Sequence, residues 1–258
     1  MATCIFCGEP FSRERKRSEE HAAPQWCRDL VPTPPDGRPE LILIVETADG
    51  HTETRELRDP FTTVAADVCE PCNTGWMEEL EEWAQGWLTR PIRGERRVLR
   101  YWRQVCAAAW AIKTAMVWES VEPEHRTIPL EVMRIFHQLQ RPSGKQQVWI
   151  GRYLGADPHS FRRTAGYAIG SRPEGAGDSE HAEAYLVAFS IGQLAFVVFG
   201  HLGMPMPDVA LPQGLAAKLI QIWPPIHERV EWPPTTALDD ADLDVVVRSL
   251  GAPIPGNL

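Results

Sequence analysis

Asparagine is nearly absent from this chain: of 258 residues only Asn73 and Asn257 carry that side chain. Also missing is any apolar run of the roughly eighteen or more residues that a membrane span needs, since the longest stretches, among them Leu194 to Leu202, end well short of it. The opening MATCIFCGEP lacks the apolar centre of a signal peptide, so the expected compartment is the cytoplasm. No repeat or low-complexity tract interrupts the chain, and 43% hydrophobic with 24% charged residues excludes a wholly disordered or fibrous protein. Positive charge is in short supply. Against 35 Asp and Glu stand 26 Lys and Arg, a formal charge of -9, which argues against nonspecific coating of nucleic acid and still allows a local basic patch. A chain this long buries a sizeable core as one large domain or two small ones, without disulfide stapling.

What is present is cysteine in a pattern. Four of the 6 cysteines form two C-x2-C pairs, Cys4-Ile5-Phe6-Cys7 and Cys69-Glu70-Pro71-Cys72. Each pair turns two thiolates toward one centre, and two pairs supply the four sulfurs that tetrahedral zinc prefers. A disulfide framework suits a short secreted chain better, and a thioredoxin-like redox pair explains one knuckle but not two. The long separation of the knuckles is tolerable, because loop closure costs only about 0.6 kcal/mol per doubling of length. Within it, Leu41 to Thr47 and Thr52 to Arg58 flank Ala48-Asp49-Gly50-His51, and Asp-Gly predicts a β-hairpin turn. Cys27 and Cys106 stand outside the pairs and read as small buried hydrophobes.

Shortly after the first knuckle comes Ser18-Glu19-Glu20-His21-Ala22-Ala23-Pro24-Gln25-Trp26, and Asn73-Thr74-Gly75-Trp76-Met77 follows the second without a gap. An acidic residue before a histidine, a proline three further on, and a C-x2-C closed by Asn together resemble the HNH endonucleases of the ββα-metal fold. The resemblance covers about the first 90 residues. It implies that zinc knuckles clamp a hairpin against a helix, with Cys4, Cys7, Cys69 and Cys72 on a structural Zn2+. It further implies that Glu20 and Asn73 hold one catalytic Mg2+ or Mn2+, that His21 activates water, and that the substrate is DNA, with RNA not excluded. One departure stands out. The family's middle Asn has no counterpart in Asp59-Pro60-Phe61-Thr62-Thr63-Val64-Ala65-Ala66-Asp67-Val68, where Thr62, Thr63 and Asp67 are the hydrogen-bonding side chains available as braces. This bears on catalysis more than on fold, and the alternative reading is a catalytically silent zinc-stabilised module that binds nucleic acid or protein.

The chemistry is consistent with those roles. Phosphodiester hydrolysis uses a base of near-neutral pKa and a metal that takes up charge on the phosphoryl and leaving oxygens. Oxygen donors such as Glu and Asn suit Mg2+ or Mn2+, whereas thiolates select zinc. Neighbouring side chains on an ideal strand point to opposite faces, so Glu20 and His21 share a site only if the segment turns or bulges. Pro24 fits a chain leaving the ladder there, and Asn73 reads equally as a helix N-cap. Arg13, Arg15, Lys16 and Arg17 beside the pair are placed to meet phosphate.

Beyond Asn73, Trp76, Leu80, Trp83 and Trp87 recur at helical spacing and predict a core-facing stripe, with Glu78, Glu79, Glu81 and Glu82 off it. Thr89-Arg90-Pro91 breaks the pattern, and the domain boundary is expected there. Arg93 to Glu119 predicts one long buried helix whose Arg93, Arg96, Arg100 and Arg103 share a side. Ile128 to Gln140 predicts another helix. Short strands are expected at Gln147–Leu154, Thr164–Gly170, Glu183–Ser190 and Leu194–Leu202, with Gly192 in a hairpin turn, then a short element at Ala216–Trp223, proline-rich loops that include Gly203–Pro207, and a late element at Asp239–Leu250. The expected class is α+β: residues 1–90 as the zinc-clamped ββα-metal domain, and 91–258 as a helical segment and antiparallel-sheet domain of unassigned role. No membrane partner is expected.

Overall fold

The computed structural model describes residues 2–31, 40–46, 52–58, 61–121, 126–155, 159–169, 182–201 and 211–249. A turn carrying Cys4 and Cys7 leads to β1 (Arg17–His21) and a short helical turn at Gln25–Leu30. The hairpin expected between the knuckles follows as β2 (Glu40–Glu46) and β3 (Thr52–Arg58), antiparallel and in register from Glu40 opposite Arg58 to Glu46 opposite Thr52. Its turn at Ala48–His51 lies outside the described residues, as do Asp59, Pro60 and the loop Gly203–Pro207. Next, β4 (Val64–Cys69) pairs antiparallel with β1. It runs straight into α1 (Glu70–Cys72), a wider turn at Asn73–Met77, and α2 (Glu78–Ile92). Along the chain, the antiparallel strands β1 and β4 are thus followed by the helix α2.

The second half departs from expectation at its start. Arg93 to Glu119 is not one helix: β5 (Arg97–Arg100) precedes α3 (Tyr101–Glu119). Leu99 is buried between exposed Val98 and Arg100, a period of two, and β11 (Arg229–Trp232) supplies an antiparallel partner that a helix here would leave unpaired. The arginine stripe is consequently split between a strand and a helix. Then follow α4 (Leu130–Leu139), β6 (Gln146–Tyr153), β7 (His159–Ile169), β8 (Ala182–Ile191), β9 (Leu194–His201), β10 (Ile220–Trp223), β12 (Ala237–Leu238) and α5 (Asp240–Ser249); most lie close to the expected bounds, but β7 starts ahead of the expected Thr164, β10 covers only the end of the element expected at Ala216–Trp223, and β12 has no counterpart among the expected elements.

These strands form an eight-stranded sheet in the order β10-β6-β9-β8-β7-β2-β3, with β12 alongside β6. Pairing is antiparallel except at β2–β7 and β6–β12. The inserted hairpin is thus the edge of the C-terminal sheet, with Ile42 opposite Ser160, and not a free-standing loop.

Alternation along β8 and β9 explains the layers. Val187, Phe189, Phe196 and Val198 face the cluster built around α3, while Leu186, Ala188, Val197 and Phe199 face Leu243, Val246 and Val247 of α5. A strand covered on both faces reads as an unbroken apolar run, as β9 does. Between the sheet and the knuckle region, α3 is buried nearly all round, and its Trp110 touches Phe189, Phe196 and Trp26. The two halves meet at a tight turn: Gly192 (φ +55°) abuts the end of α2, where Gln193 N–H donates to Ile92 O at 2.8 Å. An added Cβ on Gly192 would lie 2.5 Å from that oxygen. One buried cluster runs from Cys4 to Trp232, and α2 continues through Pro91 two residues past the expected boundary.

Candidate functional site

Cys4, Cys7, Cys69 and Cys72 bring their sulfurs within 4.8 Å of one another. A zinc ion bonded at about 2.3 Å to four sulfurs sets them about 3.8 Å apart, and Cys4–Cys72 and Cys7–Cys69 measure 3.9 and 3.7 Å. All six cysteines are free thiols, so the disulfide alternative is not realised. The mutual hydrogen bond within the Cys4–Cys72 pair lowers the Cys4 thiol and raises that of Cys72. Arg15 donates to the sulfurs of Cys7 and Cys69 at 3.6 and 3.5 Å, where a guanidinium stabilises thiolate. Four sulfurs at this spacing can hold a metal ion such as zinc. Their second effect is mechanical, because the cluster pins the start of the chain to the β4–α1 junction.

That junction and β1 frame a cavity of about 450 Å³ whose wall includes Glu20, His21, Trp26, Asn73, Glu78 and Glu81. The structure therefore brings the three sequence-predicted site residues to one wall. The register of β1 shifts between Ser18 and Glu20, ahead of the pair, while Glu20 and His21 stay in regular register opposite Ala65 and Val64; both reach the cavity because the strand ends at His21. Asn73 directs Nδ2 to Ser18 Oγ at 2.5 Å, leaving its oxygen as the atom it offers elsewhere, and its helical dihedrals (φ -65°, ψ -55°) place it inside the turn and not at an N-cap. Oxygen donors line this wall, the ligand type that a hard divalent cation takes. Among the described residues, however, the cysteines are the one group of three or more His, Cys, Asp or Glu side chains with ligand atoms gathered closely enough to share an ion.

A buried cation accounts for part of this. Lys113, in the middle of α3, is 1% exposed and reaches both carboxylates of the cavity's inner end, Glu20 Oε1 at 3.4 Å and Glu81 Oε1 more closely. The other oxygen of Glu81 accepts from Trp26 Nε1 at 2.6 Å and Trp110 Nε1 at 2.9 Å. Burial opposes the Lys113 ammonium, yet Glu81 and Glu20 together outweigh it and hold its pKa above the usual lysine value. Glu20 moves the other way for a salt-bridged acid: burial raises its pKa, and Lys113 only partly offsets this. The asymmetry has a simple source. One ammonium is shared by two carboxylates, Glu81 holds it more tightly, and Glu81 also repels Glu20. Glu81 was expected off the apolar stripe and instead turns inward.

Two further expectations are corrected here. Trp76 and Trp87 are buried, but Trp83 is 58% exposed, because the wide turn at Asn73–Met77 shifts the phase and the buried stripe of α2 runs through Ala84, Leu88 and Ile92. Asp67 is no brace for the histidine loop; its carboxylate takes Arg17 at 3.0 Å. The loop after His21 is tied instead by Ala22 N–H to Thr63 O at 2.8 Å and by the Gln25 amide to Phe61 O. Lys113, Glu81 and Gln25 are thus the site residues that sequence reading overlooked. Of these, Lys113 left a signal, since a lone charge within Ala107 to Val117 must find a partner if the helix is buried. Comparison with protein-family models, curated proteins and solved structures yields no match.

Proposed function

We propose that the chain is an HNH-type endonuclease that hydrolyses phosphodiester bonds of DNA with one divalent metal, its ββα unit clamped by a structural zinc on Cys4, Cys7, Cys69 and Cys72. The observation that carries this reading is the common wall of Glu20, His21 and Asn73, two from the end of β1 and one from the turn that leads into α2, beside the four sulfurs. In this reading Glu20 and the Asn73 oxygen hold Mg2+ or Mn2+, which when bound supplies charge for the phosphoryl and leaving oxygens. His21 accepts the proton of the attacking water. Ser18 orients the Asn73 amide, and the Ala22 and Gln25 bonds hold the loop that carries His21. Lys113 sets the charge state and position of Glu20 from behind.

Cleavage of plasmid DNA with added Mg2+ or Mn2+ tests the assignment. His21→Ala is expected to lower the rate by about 10² to 10⁴, the scale of general acid–base catalysis, with zinc content and DNA affinity nearly unchanged. Glu20→Ala and Asn73→Ala are expected to raise the metal concentration needed for half activity. Equal cleavage by His21→Ala removes His21 from the mechanism.

One observation favours a second reading. The Lys113 ammonium already lies 3.4 Å from Glu20, so the charge a divalent metal would balance has a resident counter-ion. A catalytically silent zinc module that binds nucleic acid or protein would keep that arrangement permanently. A wild-type chain that cleaves no nucleic acid with any divalent metal decides for it.

A further inference from the structure

Two tryptophans stand out of the core on an otherwise acidic protein. Trp83 and Trp102 are 58% and 47% exposed, and their rings meet edge to face with centroids 6.3 Å apart. Tyr101 beside them is 58% exposed. Large amphipathic rings left in water cost free energy unless something covers them, and Tyr101 and Trp102 are the exposed residues of an otherwise buried or half-buried α3. Arginine surrounds the rings. Arg103 lies over the Trp102 ring at 5.0 Å and donates to Val98 O at 3.2 Å, which fixes its plane. Burial lowers the Arg97 pKa, with the charges of Arg103 and Arg90 acting in the same direction, and Arg90 has Glu95 at 3.9 Å. Arg100 sits directly opposite Arg229 across the β5–β11 ladder, and Arg229 is paired with Glu231 at 2.7 Å, which leaves Arg100 the guanidinium of the two without a carboxylate partner among the described residues. The buried Nε atoms of Arg97 and Arg103 have no hydrogen-bond partner among the described residues.

A cluster of guanidinium groups that repel one another calls for an anion. Aromatic faces call for something flat. Both demands together describe single-stranded nucleic acid, in which phosphates alternate with unstacked bases, whereas duplex hides its base faces and an acidic peptide offers none. We propose that Trp83, Tyr101 and Trp102 with Arg97, Arg100 and Arg103 form a binding surface for single-stranded nucleic acid. It deepens the nuclease reading by naming the strand form of the substrate.

Binding needs no turnover, so the two ideas fail separately. The test is fluorescence anisotropy of a labelled 20-mer of deoxythymidine and of a mixed-sequence duplex of equal length, with the intact chain and no added Mg2+ or Mn2+. The single strand is expected to bind more tightly than the duplex and to quench tryptophan emission. Trp83→Ala with Trp102→Ala is expected to weaken single-strand binding at least about tenfold, since each base–aromatic stack contributes on that scale or more, while the Phe pair retains most of it. Arg100→Gln with Arg103→Gln should flatten the dependence of log affinity on log salt by about 0.7 per lost phosphate contact. Arg134→Gln, at an exposed position of α4, should change neither. Zinc content and circular dichroism check that each variant is folded. Preference for the duplex, or unchanged single-strand affinity in the folded Trp-to-Ala pair, overturns the proposal whatever the chain does to plasmid DNA.

Discussion

Replacing Lys113 by Met keeps most of the side-chain volume in α3 and deletes the only charge within Ala107 to Val117. Glu20 and Glu81, 12% and 18% exposed, then face each other without the ammonium between them. At an effective dielectric constant of about 20, the attraction lost at 3.4 Å from Glu20 is about 5 kcal/mol. The Glu81 contact adds to this, and the relieved desolvation of Lys113 subtracts. Measurements on buried pairs broken at one end converge on about 3–5 kcal/mol of lost stability, a large share of the roughly 5–15 kcal/mol a domain has. The pH dependence follows from the sign of the Glu20 shift. Its folded pKa is raised, so protonation favours the native state, and the penalty for ionising it grows as pH rises through that folded value. Without Lys113 the shift becomes larger. Urea unfolding of Lys113→Met against wild type is therefore expected to show the largest deficit near pH 8 and a smaller one near pH 5, and added Mg2+ at pH 8 should recover part of it. Comparing the two proteins at each pH cancels contributions of the thiols common to both. A deficit below about 1 kcal/mol at pH 8, or one that grows as pH falls, refutes the buried-triad account.

Three other outcomes are expected. Metal analysis should find one zinc per chain, and Cys69→Ser with Cys72→Ser should abolish it together with the folded signal of the knuckle region; unchanged zinc content rejects the cluster as its site. Gly200→Ala puts a Cβ 2.2 Å from the Tyr185 ring, and because Tyr185 is anchored by Gln146 at 2.9 Å, overpacking should cost about 1–3 kcal/mol in chemical denaturation. Gly192→Ala combines a positive φ with a 2.5 Å approach to Ile92 O, so it should loosen the contact between the β8–β9 turn and α2, read as faster amide exchange at Gln193.

Legibility varied with the locality of the cause. The strands at 146–153, 182–191 and 194–201, the turn at Gly192, and the helix at 130–139 follow from apolar periodicity and turn residues, and lie within a few residues of prediction, whereas the pattern at 239–250 leaves helix and strand equally open and proves helical. The convergence of two C-x2-C pairs was likewise readable, because the spacing dictates it. What failed was non-local. Nothing near Arg97–Arg100 announces Arg229–Trp232 as its ladder partner, and a helix beginning at Tyr101 made a longer one plausible. Trp83 was misplaced because a wide turn before it resets the helical phase. Glu20 was readable as an acid beside a histidine, but its counter-ion sits 93 positions away, and only the burial of α3 makes that meeting necessary.

The parallel pairing of β2 with β7 also has a bearing on the order in which the protein assembles as it is synthesised. Cys4 and Cys7 emerge early, but no partner sulfurs exist until Cys69 and Cys72 follow, 62 positions on for the Cys7–Cys69 pair. The β2–β3 hairpin can close by then, although one edge of β2 must wait for Ser160 and its neighbours. At about 5–20 residues per second of synthesis that interval is on the order of several seconds. For that time an apolar strand reading Leu41-Ile42-Leu43-Ile44-Val45 has an uncovered edge, the kind that pairs with other nascent chains. The knuckle region acts as an early anchor at the chain's start, and completion of the sheet is a late event that a ribosome-bound chaperone would have reason to guard.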